Sequence, residues 1–167
     1  MIRKAIPSDQ PQLIELYREV AAIPDALART PDEVSDHYVG GFMRKAADDG
    51  LEFVFEQDGR IRGEIHASRV GIASLDHLLT ELTIAVAPDC QGQGVGRRLF
   101  QALLDEVSIS LPYITRVELF CRSSNKRARA LYLSLGFVEE GRLQARVKNA
   151  QGQAETDTIM AWLRPGC

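Results

Sequence analysis

Apolar and polar residues alternate over Ile2-Arg3-Lys4-Ala5-Ile6 until Pro7, which predicts a short strand. Ser8 can cap a helix running to about Ala22, with Leu13, Ile14, Leu16, Tyr17 and Val20 on one face and Pro24 ending the pattern. Thr30-Pro31-Asp32-Glu33 has a capping residue, a proline at the first helical position and a glutamate at the third. That signature predicts a second helix from Thr30 to about Asp49, stopped by Gly50. Leu51 to Phe55 is β-prone, Asp58-Gly59 is a hairpin turn, and residues 60–72 form the return strand. Residues 77–87 read as a strand ended by Pro88. Gly94 to Ser110 reads as a helix with Val95, Leu99, Ala102, Leu103 and Val107 inward. Ile114 to Cys121 is a strand, and Ser124 to Leu135 a helix ended by Gly136. Residues 137–147 and 156–163 form a final hairpin across the 149–153 turn. The order β-α-α-β-β-β-α-β-α-β-β predicts an α/β fold of layered α+β type with a mixed, mostly antiparallel central sheet. No linker or repeat interrupts it, so residues 1–167 read as a single domain.

Composition narrows the class. At 167 residues, 45% hydrophobic and 26% charged, the chain can bury about two-thirds of its unfolded surface. It therefore needs no metal or disulfide staple. Cys90, Cys121 and Cys167 are odd in number and irregularly spaced, which fits a reduced, cytoplasmic protein. No run is apolar for the length of a membrane span, and MIRKAIPSD lacks the apolar stretch of a signal peptide. The net charge of −3 argues against nucleic-acid binding by bulk charge. That charge is divided unevenly. Residues 1–90 hold 16 acids and nine Lys and Arg, a balance of −7, whereas residues 91–167 stand at +4.

The basic half opens with Leu82-Thr83-Ile84-Ala85-Val86-Ala87-Pro88-Asp89-Cys90-Gln91-Gly92-Gln93-Gly94-Val95-Gly96-Arg97-Arg98-Leu99. A strand, a glycine-rich loop and a helix start in that order make a cradle for a phosphate. Glycines at every second position leave backbone N–H groups unobstructed at the positive end of a helix. A Walker A loop would need Gly-Lys-Ser/Thr, which is absent. A dinucleotide fingerprint would need glycine where Arg97 stands.

Gln91-x-x-Gly94-x-Gly96, after a strand ending Ile-Ala-Val, resembles the acetyl-CoA loop of the GNAT superfamily of N-acetyltransferases. The segment Asn125-Lys126-Arg127-Ala128-Arg129-Ala130-Leu131-Tyr132-Leu133-Ser134-Leu135-Gly136-Phe137 is similar to that family's N-x-x-A-x-x-L-Y-x-x-x-G-F stretch. The resemblance covers at least residues 76–163. It implies helices on both faces of the sheet and a V-shaped splay between the 82–87 and 114–121 strands. Pantetheine would lie in that splay along Ile84, Ala85 and Val86, with the Val86 N–H as the oxyanion donor. Gln91, Gly92, Gln93, Gly94, Val95, Gly96, Arg97, Asn125 and Arg129 would bind the cofactor. Arg98, Arg122, Lys126 and Arg127 would add charge near its phosphates.

The implied chemistry is transfer of an acetyl group from acetyl-CoA to a primary amine, by direct attack through a tetrahedral intermediate. Tyr132 occupies the family's general-acid position, to protonate or hydrogen-bond the departing thiolate. Glu81 is the candidate base, on one face with Thr83 and Ala85 if the strand alternates regularly. Asp76 and His77 are its rivals. Cys90 and Cys121 make a covalent acetyl-cysteine route conceivable, although small apolar filler is the plainer reading. His37 and His66 lack ligand spacing with each other or with cysteine, so no metal is expected. The acceptor is expected to be a small molecule, an amino acid, amine or xenobiotic, recognised by residues 8–49, 69–77 and the final hairpin. The −7 half suggests a cationic one. A protein N-terminus, or a non-catalytic acyl-CoA-binding role, is the alternative. A homodimer is compatible with the family.

Overall fold

The computed structural model describes residues 1–166, so Cys167 lies outside the described residues. Seven strands and four helices follow in the expected order. They are β1 (Ile2–Lys4), α1 (Gln10–Ala21), α2 (Asp36–Asp49), β2 (Gly50–Gln57), β3 (Arg60–Ser68), β4 (Leu78–Val86), α3 (Val95–Ser110), β5 (Arg116–Arg122), α4 (Lys126–Ser134), β6 (Val138–Lys148) and β7 (Ala154–Leu163). The sheet order is β1-β2-β3-β4-β5-β7-β6. Every neighbouring pair is antiparallel except β4 and β5.

The predicted stripe of α1 is the observed one: Leu13, Ile14, Leu16, Tyr17 and Val20 are all buried. Helix α3 buries Val95, Leu99, Phe100, Leu103, Leu104 and Val107 against the other face of the sheet. Each such side chain contributes on the order of 1.5–3 kcal/mol. Arg164, just past β7, donates to the carbonyls of Val107, Leu111 and Ile114 and so satisfies the end of α3.

Three expectations are corrected. The capping box at Thr30 forms, with the Glu33 carboxylate accepting from the Thr30 N–H at 2.8 Å. It caps only one 3-10 turn, Pro31–Glu33. Val34, fully buried, then pulls the chain into extended geometry, and Ser35 starts α2 by accepting from the Tyr38 N–H at 3.2 Å. Strand β3 stops at Ser68 rather than residue 72. Finally, β4 does not alternate throughout. Its register to β3 passes from His66↔Thr83 to Ser68↔Thr80, and Glu81 takes a left-handed backbone at φ 54°. This bulge inserts one extra residue and turns Thr80 and Thr83 to the same face.

Among the described residues, one buried carboxyl has no hydrogen-bond partner. Glu52 on β2 stands opposite His66 on β3, and its Oε1 is sealed from solvent without a hydrogen bond. Burial, reinforced by Glu64 and Asp9, pushes its pKa from 4.5 up to about 9, so it is neutral at pH 7. Unfolded, the same group ionises near 4.5. Its contribution to stability is therefore complete below pH 4.5 and lost as pH rises toward 9. Glu52→Gln, which cannot ionise, should melt at higher temperature than wild type at pH 8.5, by about 1–3 kcal/mol of stability. The gain should shrink toward zero at pH 4.5. Thermal melts that show the same difference at both pH values would refute a neutral Glu52.

Candidate active site

Strands β4 and β5 pair only at Leu78↔Arg116 and Leu79↔Val117. Beyond those positions β4 runs on to Val86 along β3 and β5 to Arg122 along β7, without pairing to each other, which opens the V. The main chain of β4 faces that gap at alternate residues. Ala87 donates its N–H to Arg62 O at 2.9 Å. Bonded pairs alternate along an antiparallel ladder, so Ala85 and Thr83 also turn their polar groups to β3. Ile84 and Val86 therefore present theirs to the gap, and Ala85 does not. Val86 O is already taken by Gln91 Nε2 at 3.0 Å, which leaves the Val86 N–H and both groups of Ile84.

The glycine-rich loop closes one end of the V. Gly92 and Gly94 have φ of 80° and 79°, a left-handed region in which side-chain-bearing residues are strained. Gly94 caps α3, whose first helical bond is Arg98 N–H to Gly94 O at 3.1 Å. The N–H groups of Val95, Gly96 and Arg97 are thus unused by the helix. A Cβ on Gly94 would meet open space, and one on Gly92 would meet Arg127 Nη2 at 3.3 Å. Arg127 and Lys126 form no ion pair among the described residues.

Several side chains expected to touch a cofactor hold the loop and its neighbours. Gln91 binds Val86 O, and Gln93 Nε2 donates to Asp89 O at 2.6 Å. Asn125 Oδ1 accepts from the Ala128 N–H at 3.0 Å and caps α4. Arg129 is bound to the Glu139 carboxylate, Arg97 Nη2 donates to Ser134 Oγ at 2.7 Å, and Arg122 pairs with Glu155 at 3.3 Å. Arg98 lies over the Phe55 ring, 4.7 Å from its centroid.

A cavity of about 570 Å³ extends from the V into a chamber. Tyr132 stands in its wall, buried, with its ring 5.2 Å from Phe100 and 6.1 Å from Phe137. Its hydroxyl makes no hydrogen bond among the described residues. Burial, with a smaller contribution from Cys121, raises its pKa well above the ordinary phenol. Burial likewise pushes the Cys121 thiol up to about 11 and raises that of Cys90. Both stay protonated near neutrality, and a thiol is a poor nucleophile.

Glu81 also lines the chamber, but its carboxylate is held by Lys45 Nζ at 2.6 Å and by the Ser68 hydroxyl at 3.3 Å. Asp76 and His77 are exposed ahead of β4, away from the cavity. Sequence reasoning missed the polar cluster beneath the chamber floor. Tyr17 Oη donates to Glu64 Oε2 at 2.5 Å, and His66 Nδ1 lies 3.0 Å from Glu64 Oε1 and 3.3 Å from Tyr17 Oη. His66 is stacked on Phe42 at 4.0 Å and lines the cavity. Glu64 and His66 share one face of a strand, and that i, i+2 spacing was the available signal.

The chamber's outer wall is built by residues 25–29 and by the β6–β7 hairpin. Ala150 N–H donates to Asp25 Oδ1 at 2.8 Å and ties the two together. The acidity of the N-terminal half is not concentrated here, since Asp25, Glu81 and Asp157 are matched by Arg29, Arg122 and Arg146. Arg146 pairs with Asp157 at 2.6 Å. Arg29 stacks on Tyr38 at 4.0 Å and has no carboxylate partner among the described residues. Among the described residues no helix is long and apolar enough to cross a membrane, and no cluster of three His, Cys, Asp or Glu could hold a metal.

Known proteins agree with this architecture. The chain is 47% identical over 89 residues to the ribosomal protein bS18-alanine N-acetyltransferase of Escherichia coli, covering 53% of this chain and 55% of that protein. It is 31% identical over 102 residues to the phosphinothricin N-acetyltransferase of Alcaligenes faecalis, covering 60% and 51%. The chain thus spans about half the length of these curated relatives. The crystal structure of a GNAT superfamily phosphinothricin acetyltransferase from Sinorhizobium meliloti, in complex with acetyl-CoA, superimposes with a TM-score of 0.84 at 20% identity, over 98% of this chain and 87% of that one. A family model described as an acetyltransferase (GNAT) domain matches residues 48–139, more than half of the sequence. Together with the splayed strands and the glycine loop, that match identifies the chain as a member of the GNAT acetyltransferase family.

Proposed function

We propose that this chain transfers the acetyl group of acetyl-CoA to the primary amine of a small molecule. Its residues fit the cofactor. The Val95, Gly96 and Arg97 N–H groups and the Arg127 guanidinium suit the pyrophosphate, and the free main chain of Ile84 suits the pantetheine amides. Bound there, the cofactor supplies an acyl carbon with a thiolate leaving group. The Val86 N–H then donates to the developing oxyanion, and Tyr132 donates its hydroxyl hydrogen toward the sulfur. Gln91, Gly92, Gln93 and Gly94 set the loop's shape, Asn125 sets the start of α4, and Arg129 fixes α4 to β6.

The observation that carries the small-acceptor reading is the Asp25–Ala150 tie, which walls the chamber where an extended peptide would have to leave it. Arg29 supports an acceptor with a carboxylate or similar anion beside its amine, in place of the cationic one suggested by net charge. A second reading, acetylation of a protein N-terminus, is favoured by the 47% identity to the Escherichia coli enzyme. Thiol release from acetyl-CoA over a panel of amino acids, simple amines and N-terminal peptides separates the two. Amino-acid-like acceptors should lead, and Arg29→Met should raise their KM about tenfold with kcat retained, equal to losing one ion pair of ~1.4 kcal/mol. Peptides outpacing every small amine would replace the first reading with the second.

A further inference from the structure

We propose that His66, oriented by Glu64 and Tyr17, takes the proton from the acceptor's ammonium. The role rests on the acetyl-transfer reading, because only that reading needs a deprotonated amine. Tyr17 has one hydroxyl hydrogen, and it is committed to Glu64 Oε2 at 2.5 Å. An ionised Glu64 can only accept, so against it the contact with His66 Nδ1, at 3.0 Å, is made by a hydrogen on Nδ1. That leaves the lone pair on Nε2, which has no protein partner among the described residues and is not sealed from the cavity. Tyr17 and Glu64 are fully buried and His66 is 5% exposed. The ring therefore cannot swing away, and the stacked Phe42 fixes its plane. A buried carboxylate behind an imidazole is the arrangement that favours an imidazolium when a proton arrives on the other nitrogen.

Glu81 is less suited to this task. Lys45 already satisfies its carboxylate, and a free carboxyl group is a weaker base than free imidazole by about two pKa units. His66 lies directly across the β3–β4 ladder from Thr83, next to Ile84, whose main chain lines the gap.

In the step, an N–H bond of the ammonium breaks and an Nε2–H bond forms, directly or through one water. The positive charge passes to the imidazolium, which Glu64 balances through Nδ1–H. The freed nitrogen pair forms the C–N bond as the carbonyl π pair moves to oxygen, and when that pair returns the C–S bond breaks with its electrons leaving on sulfur. A second nitrogen proton is delivered to that sulfur beside Tyr132. His66 then returns its proton to water in the cavity.

Tyr17 from α1 and Glu64 from its own strand touch His66, Glu52 stands opposite it on β2, and Arg29, Tyr38 from α2 and Glu81 from β4, the last paired with Lys45, line the same cavity. The test is the pH dependence of kcat/KM for thiol release, using the best acceptor of the panel. Wild type should show an acid limb. His66→Gln should lose on the order of 10²-fold or more at pH 7.5, keep its acetyl-CoA thermal shift, and follow the free amine's own ionisation instead of that limb. Glu64→Gln, a milder change should His66→Gln fail to fold, should move the limb to lower pH, because the imidazolium loses its counter-charge. A structural role alone would lower stability without moving the limb, and that result overturns the proposal. So does an acid limb that survives in His66→Gln and disappears in Glu81→Gln. A wild-type chain that releases thiol with no acceptor overturns the acetyl-transfer reading itself. An active wild type matched by His66→Gln overturns the role of His66 alone.

Discussion

Gly94→Glu is expected to abolish acetyl-CoA binding in a chain that still folds. Two effects separate here. Any side chain at φ 79° is strained by about 1–2 kcal/mol, which should lower the melting temperature by roughly 2–8 °C. A Cβ at this position meets nothing within 4 Å, so there is no clash to prevent folding. The larger effect is on the ligand. A glutamate at the cap of α3 extends an anion into the space where the Val95, Gly96 and Arg97 N–H groups converge, and it repels the pyrophosphate they would hold. Wild type at a hundredfold excess of acetyl-CoA over its dissociation constant should gain ~2.7 kcal/mol, or about 5–10 °C. Gly94→Glu should show no shift, and Gly94→Ala, equally strained but uncharged, should keep most of it. An unchanged shift in Gly94→Glu would place the phosphates elsewhere.

The contrast between that loop and the chamber explains what could be read along the chain. The cradle is local: a strand end, three glycines and a helix start lie within a few residues, so backbone freedom and spacing are visible in Gly92, Gly94 and Gly96 themselves. The α1 stripe is local in the same way, because helical period alone decides which residues turn inward. The bulge at Glu81 has no such mark. It follows from a three-for-two mismatch between Thr80–Thr83 and His66–Ser68, and no residue in that stretch is a glycine. The regular alternation that would put Glu81 on one face with Thr83 and Ala85 is therefore broken at Glu81 itself. The Tyr17–Glu64–His66 cluster is further from legibility. Its members belong to α1 and β3, and Tyr17 read simply as a core aromatic until the sheet set a carboxylate against its hydroxyl. Charge behaved similarly. The −7 half is real, but its acids are spread over pairs such as Arg3–Asp9, Arg62–Glu19 and Arg69–Asp49 rather than focused on the acceptor chamber.

Tyr132→Phe is expected to reduce kcat by about 10²-fold or more, with acetyl-CoA affinity changed by less than threefold. The substitution removes one oxygen from a ring packed on Phe100 and Phe137. Because that oxygen has no hydrogen-bond partner among the described residues, the variant should melt at or slightly above the wild-type temperature. The effect is thus read on turnover and not on folding. Burial holds the phenol above its ordinary pKa, so it remains protonated across pH 6–9. It is also a weaker acid than a thiol, which makes complete transfer to the thiolate uphill. Its contribution is the hydrogen bond it donates while the C–S bond breaks, with the proton finally supplied from the acceptor nitrogen. The variant's pH–rate profile should therefore keep the wild-type shape and lie lower at every pH. A compound with a better leaving group than coenzyme A, such as an aryl thioester, should narrow the gap between Tyr132→Phe and wild type, since it needs less help at sulfur. If kcat is retained and only the KM for acetyl-CoA rises, Tyr132 binds the cofactor and gives no assistance to the leaving thiolate.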